Sequence, residues 1–113
     1  CVYRLGDATK LEHSLNRYDA AICSFMLEHL ENPGRFLIDF APSLRSGALA
    51  FVTLALTAAQ TDHIYEFKCE SEGILLAEAA GFELIECRVA RPQRLIPGAR
   101  FVPRVQAMIL RKK

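Results

Sequence analysis

The chain has 113 residues, 51% of them apolar, and carries 14 Lys and Arg against 13 Asp and Glu. This is enough apolar material for a single packed domain over residues 1–113 and too much for wholesale disorder. No apolar run reaches the roughly 18 to 20 residues of a membrane span.

Charge is distributed unevenly. Residues 1–87 hold six basic and thirteen acidic side chains, whereas residues 88–113 hold eight basic and no acidic ones. Lys and Arg at the end of a chain commonly keep a solvated edge strand from pairing with a neighbour. They also suit an acidic partner, but the only aromatic residue in the stretch is Phe101, too little to stack bases. The first account is adopted, and nucleic acid is not expected as a partner. Cysteines stand at 1, 23, 69 and 87, without metal-type spacing or disulfide density. Cys23 and Cys87 fall in apolar strand patterns and are expected as buried free thiols. With no signal peptide in view, this points to a reducing cytoplasm. The abrupt start at Cys1, without an initiator Met, reads as a fragment.

In chain order, Val2 to Leu5 reads as a strand end, Gly6-Asp7-Ala8-Thr9 as its loop and Lys10 to Arg17 as a connection. Tyr18 to Cys23 is apolar apart from Asp19, the pattern of a strand covered on both faces. Asn32-Pro33 starts a helix, with Asn as cap and Pro in the first turn. Phe36, Leu37, Phe40 and Leu44 share one helical face. Ser46-Gly47 is expected to end that helix, and Pro42 to kink it or end it early.

Ala48 to Leu56 is a second buried strand, parallel to the first through a crossover. Thr57 to Lys68 is a mixed loop containing Asp62, His63, Tyr65 and Glu66. Glu70 to Ala80 is helical, with Ile74, Leu75, Ala79 and Ala80 on one side, Cys69 or Ser71 as cap and Gly81 as terminator. Phe82 to Val89 and Arg104 to Arg111 read as strands. The Pro-containing stretch from Ala90 to Arg100 separates them with no intervening helix, so they are expected to pair as an antiparallel hairpin. The result is an α/β sheet, mainly parallel, with a C-terminal antiparallel hairpin.

Several segments in this order resemble a known family. They are Gly6-Asp7-Ala8, Tyr18-Asp19-Ala20-Ala21-Ile22-Cys23-Ser24, Leu27-Glu28-His29-Leu30, Asn32-Pro33, Leu44-Arg45-Ser46-Gly47 and Ala79-Ala80-Gly81-Phe82-Glu83. Together they are similar to the later motifs of class I S-adenosylmethionine-dependent methyltransferases. That family has a Rossmann-like sheet of strand order 3-2-1-4-5-7-6 with strand 7 antiparallel. Its Gly-rich first turn and the acidic residue after its second strand have no counterpart here. The chain thus resembles the C-terminal portion of the fold, and the isolated piece is expected to be inactive. The remaining N-terminal portion, or a homodimer partner, would meet the open edge of the strand at Tyr18 to Cys23. An orphan half-domain that associates through this edge is the alternative.

The resemblance implies S-adenosylmethionine as cofactor and a small-molecule nucleophile as substrate. It places Asp7 on the adenine amino group and the Ala8 N–H on a ring nitrogen. Ser24, Phe25 and Met26 would line the methionine and sulfonium region, where an aromatic face favours a cation. His29 is the candidate base, since imidazole titrates near neutrality. His63 and Tyr65 are candidate substrate contacts. Methyl transfer from a sulfonium needs mainly in-line alignment, so no compact catalytic motif is expected.

Overall fold

The computed structural model describes residues 15–56, 64–91 and 104–113. Among them four strands form one sheet: β1 (Tyr18–Ser24), β2 (Leu44–Leu56), β3 (Phe82–Ala90) and β4 (Arg104–Lys112), in spatial order β1-β2-β4-β3. β1 runs parallel to β2, and β4 is antiparallel to both β2 and β3. Three strands therefore point one way and β4 alone points the other, as the sequence pattern predicts.

The position of β4 is the one the resemblance implies, and it differs from the edge strand that the charge distribution suggested. It is not a solvated edge but lies between β2 and β3, with Gln106, Met108 and Leu110 buried. Its charges sit only at its ends, and the run from Val105 to Leu110 carries none. β1 and β3 are the edges.

Helix α1 (Pro33–Phe40) begins as expected. Asn32 Oδ1 accepts the Arg35 N–H at 3.0 Å, and Pro33 occupies the first helical position. The helix ends at Phe40, and a single 3-10 turn, Ala41–Ser43, accommodates Pro42. Ser43 Oγ donates to the Phe40 carbonyl at 2.7 Å. Leu44 then opens β2 rather than closing α1. Ser46-Gly47 is accordingly not a helix terminator. It lies inside β2, where Gly47 takes φ +85° at a bulge that shifts the pairing from Tyr18↔Leu44 to Ala20↔Leu49.

Helix α2 (Glu70–Ala79) ends at Gly81, whose φ is +95°. Cys69 stands at the N-cap but its side chain does not cap; Glu72 Oε1 instead accepts the Lys68 N–H at 2.9 Å. Ser71 lies within the helix. The buried face also differs from the one expected. Gly73 and Ala77 are buried, whereas Leu75 and Ala79 are exposed. Small residues win because the helix lies close to the sheet: a Cβ on Gly73 would stand 3.0 Å from Leu54 Cδ2 and 3.3 Å from Met108 Cε.

The sheet has two unlike faces. Ala48, Ala50, Val52, Leu54 and Leu56 of β2 are all buried on the helical side, with Met108 and Leu110 of β4 beside them. On the other side Ile22, Leu49 and Phe51 are exposed, Ile22 at 79%. β1 is therefore not covered on both faces as its apolar sequence implied. Its Tyr18, Ala20 and Ile22 are exposed, and only Ala21 and Cys23 reach half-burial. No described helix is long and apolar enough to cross a membrane.

Candidate functional site

Beyond the carboxyl end of β1 the chain turns sharply. Ser24 Oγ lies 3.1 Å from Thr53 Oγ1 on the adjacent strand. Phe25 follows with φ +49°, a left-handed conformation that costs a bulky L-residue about 1–3 kcal/mol. The turn is held because the Phe25 N–H donates to the Thr53 carbonyl at 2.9 Å. A short 3-10 turn, Leu27–His29, comes next, with the His29 N–H donating to Met26 O at 3.0 Å. Leu27 anchors it in the core, and Glu28 is buried as well.

This turn is tied to the chain that follows β2. The carbonyl of Glu28 accepts two N–H donors, from Ile64 at 2.9 Å and Tyr65 at 3.0 Å. The Tyr65 ring packs against the buried Phe67 with centroids 4.7 Å apart, and Phe67 bridges Leu56. The Tyr65 hydroxyl points to Glu72 Oε2 at 3.5 Å, a long contact.

An apolar cleft of about 470 Å³ opens beside β1, walled in part by Phe36 and Phe40 of α1. Those two rings stack 5.7 Å apart and nearly parallel. Ser24, Phe25, Met26 and His29 all line this cleft. The structure thus gathers four of the sequence-predicted residues around one space. Tyr65 does not line it and joins the group only through the Glu28 carbonyl. Asp7, Ala8 and His63 lie outside the described residues, as does the strand expected at Val2 to Leu5.

Cys23 also faces the cleft. It is a free thiol, half-buried rather than buried, and Cys87 is the same. Burial, and secondarily the negative charge of Glu28, push the Cys23 thiol up from 9.0 to about 11. At neutral pH it is a packing group, not a nucleophile. Thr53 is the residue that sequence reasoning missed. Its signal was available: it is the only hydroxyl in the apolar run from Ala48 to Leu56.

Residues 1–52 match the family model of a methyltransferase domain. Solved structures match along nearly the whole chain. The [4+2]-cyclase SpnF covers 96% of it with a TM-score of 0.77 at 15% identity. An S-adenosylmethionine-dependent methyltransferase from Methanosarcina mazei covers 96% with a TM-score of 0.69 at 15% identity. A 1,6-didemethyltoxoflavin-N1-methyltransferase from Burkholderia thailandensis, solved with bound 1,6-didemethyltoxoflavin and S-adenosylhomocysteine, covers 94% with a TM-score of 0.69 at 21% identity. This is the class I S-adenosylmethionine-dependent methyltransferase fold.

The order β1-β2-β4-β3 corresponds to strands 4-5-7-6 of that sheet, with the antiparallel strand in its proper place. The chain spans 54% of the cyclase, 66% of the Methanosarcina protein and 48% of the Burkholderia protein. No curated protein sequence matches it.

Proposed function

We propose that this chain is the C-terminal portion of an enzyme that transfers a methyl group from S-adenosylmethionine to O, N or C of a small molecule. One observation carries the reading. At the carboxyl end of β1, where open α/β sheets bind ligands, Phe25 is held in a strained turn and lines the same cleft as Ser24, Met26 and His29. Strain at a strand end, over-determined by two bonds to Thr53, is the kind of feature that folds retain for a ligand.

In this reading Ser24, Phe25 and Met26 flank the methionine and sulfonium end of the cofactor, and Asp7 and Ala8 take the adenine. His29 orients or deprotonates the nucleophile, and His63 and Tyr65 contact it. The fold alone does not fix the reaction, since a [4+2]-cyclase shares it. What favours methyl transfer is the methyltransferase-domain match over residues 1–52, which includes Asp7, Ala8 and Ser24 to His29.

The Gly-rich cofactor turn is absent from the sequence, so the 113-residue chain alone binds the cofactor weakly and is inactive. Its partner is the N-terminal portion of the fold, pairing with β1 and covering Ile22, Leu49 and Phe51. Titration of S-adenosylmethionine into the chain tests this, with weak, millimolar-range perturbation expected at Ser24 to Met26. No perturbation there, or binding centred elsewhere, removes the assignment.

A second reading, a non-catalytic association module, is favoured by the exposure of Ile22 on an edge strand. Sedimentation velocity over a hundredfold concentration range separates the two. A concentration-dependent dimer abolished by Ile22→Lys supports the module. Cofactor perturbation in a monomer supports the enzyme.

A further inference from the structure

The cleft beside β1 has a shape that strand register dictates. Ala21 and Ala50 stand opposite each other on β1 and β2, and Cys23 stands opposite Val52. All four line the cleft. Two alanines side by side leave the floor low, and α1 roofs the gap with Phe36, Leu37 and Phe40. The floor continues across the sheet to Leu110 of β4, the other partner of Ala50. From β1 to β4 is two strand spacings, about 10 Å, and Ala21 to Ser24 is three steps along a strand, again about 10 Å. The space of about 470 Å³ is thus a broad slot, within the range of small-molecule sites, roughly 300–1,000 Å³.

Its polarity is confined to one end. No Lys, Arg, Asp or Glu lines it. The hydroxyl of Ser24 and the imidazole of His29 belong to the carboxyl end of β1 and the turn after it. The far side is Phe82 and Leu110, each 1% exposed. A charged ligand pressed against such walls loses its hydration without gaining a partner. A flexible chain loses conformational freedom there that a rigid ring does not. A planar ring finds aromatic neighbours in Phe36 and Phe40, whose own rings are 5° from parallel.

We propose that the slot takes an uncharged, planar, fused-ring molecule, held with its polar substituent toward Ser24 and His29, and that this molecule is the methyl acceptor. The proposal rests on the methyl-donor reading above, which puts the sulfonium at the same end of the slot.

The test titrates three probes into the wild-type chain and follows amide shifts by NMR: 2-naphthol, 2-naphthoate, which adds a charge to the same rings, and octanol, a flexible alcohol. The naphthol is expected to shift the Ala21, Cys23 and Ser24 amides, to bind about tenfold or more tighter than the naphthoate, and to bind more tightly than octanol. Ala21→Leu raises the floor into the slot and is expected to weaken naphthol binding by about tenfold or more, the scale of a modest overpacking penalty. A urea midpoint no lower than that of the wild type shows that this variant is folded. Phe40→Leu removes part of the aromatic wall and fills nothing. It is expected to weaken naphthol by a smaller factor, and it decides the question should Ala21→Leu not fold.

Naphthoate or octanol binding as tightly as naphthol, shifts centred instead on Leu49 and Phe51 of the open face, or indifference to both substitutions overturns the proposal. So do concentration-dependent shifts at Ala21 and Cys23 without ligand, which mean that a second copy fills the slot. S-adenosylhomocysteine, titrated separately, keeps the two readings apart. If it perturbs Ser24 to Met26 while naphthol does not bind, this proposal alone fails. If naphthol binds in the slot and S-adenosylhomocysteine perturbs nothing, the methyl-donor reading fails, and with it the role of the ring as acceptor.

Discussion

The hydroxyl groups of Ser24 and Thr53 lie 3.1 Å apart, one at the last residue of β1 and the other near the carboxyl end of β2. The same Thr53 accepts the N–H of Phe25 through its carbonyl, so one residue grips both sides of the site turn. The two contacts are separable. Thr53→Val removes the hydroxyl and keeps the carbonyl; Ser24→Ala removes the other hydroxyl. A double-mutant cycle by urea unfolding is expected to give a coupling of about 0.5–1.5 kcal/mol. In Thr53→Val the Phe25 amide should keep its protection from hydrogen exchange, because its acceptor is backbone. Loss of that protection would mean that the hydroxyl pair, not the carbonyl, holds the turn.

Phe25 carries backbone strain where it lines the cleft. Its φ of +49° is unfavourable for any residue with a Cβ, and the residue is 44% exposed, so its burial is only partial. Phe25→Gly relieves the strain and is expected to raise stability by about 1 kcal/mol. If the ring faces the sulfonium, the same substitution weakens S-adenosylmethionine binding. Thermal melts and a cofactor titration on the one variant read both effects. A variant that is less stable than wild type would show that the ring packs rather than waits for a ligand.

Gly73 tests the close approach of α2 to the sheet. In an exposed helix, Gly→Ala gains about 1 kcal/mol. Here the new methyl would stand 3.0 Å from Leu54 Cδ2, 3.3 Å from Met108 Cε and 3.5 Å from Gln106 Oε1. Leu54 is fully buried and Met108 nearly so, so neither has room to withdraw. Overpacking of this kind costs about 1–3 kcal/mol, and it outweighs the helix gain. Gly73→Ala is expected to lower the urea midpoint without changing the slope. A rise in the midpoint would mean that the helix shifts outward freely.

These residues also show where sequence stops being informative. The end of α1 was legible, because Pro42 cannot donate an N–H and its ring crowds the turn before it. The parallel pair and the terminal hairpin were legible from apolar runs and from the lack of a helix between β3 and β4. Gly47 was not. A Ser-Gly pair ends helices and makes bulges by the same left-handed conformation, and only the register of β1 against β2 decides between them.

The inward face of α2 was misread for a related reason. Apolar size marks a helix face when the helix stands off from its sheet, but a close approach selects Gly73 and Ala77 and turns Leu75 outward. β1 was read as doubly covered because its sequence is apolar, yet coverage depends on what else packs there. The resemblance picked out Ser24, Phe25, Met26 and His29, and these four line one cleft. Thr53 carried one signal, a lone hydroxyl in an apolar run, but its contact with Ser24 on the neighbouring strand cannot be read from spacing along the chain.

Cys23 makes the stability of the fold depend on pH. Its thiol is raised from 9.0 to about 11, chiefly by burial and then by the charge of Glu28. In the unfolded chain the thiol ionises near its ordinary value; in the folded chain it stays protonated for longer. Between these values the folded state binds more protons than the unfolded state, so stability falls as pH rises through that window and is unaffected by this group below it. Cys23→Ser removes this ionisation from the alkaline range. Denaturant midpoints measured from pH 8 to about 11 should fall more steeply in the wild type than in Cys23→Ser. The same desolvation predicts that maleimide at neutral pH labels the exposed Cys69 well before Cys23. Equal labelling of the two would mean that the strand end around Cys23 opens to solvent on the timescale of the reaction.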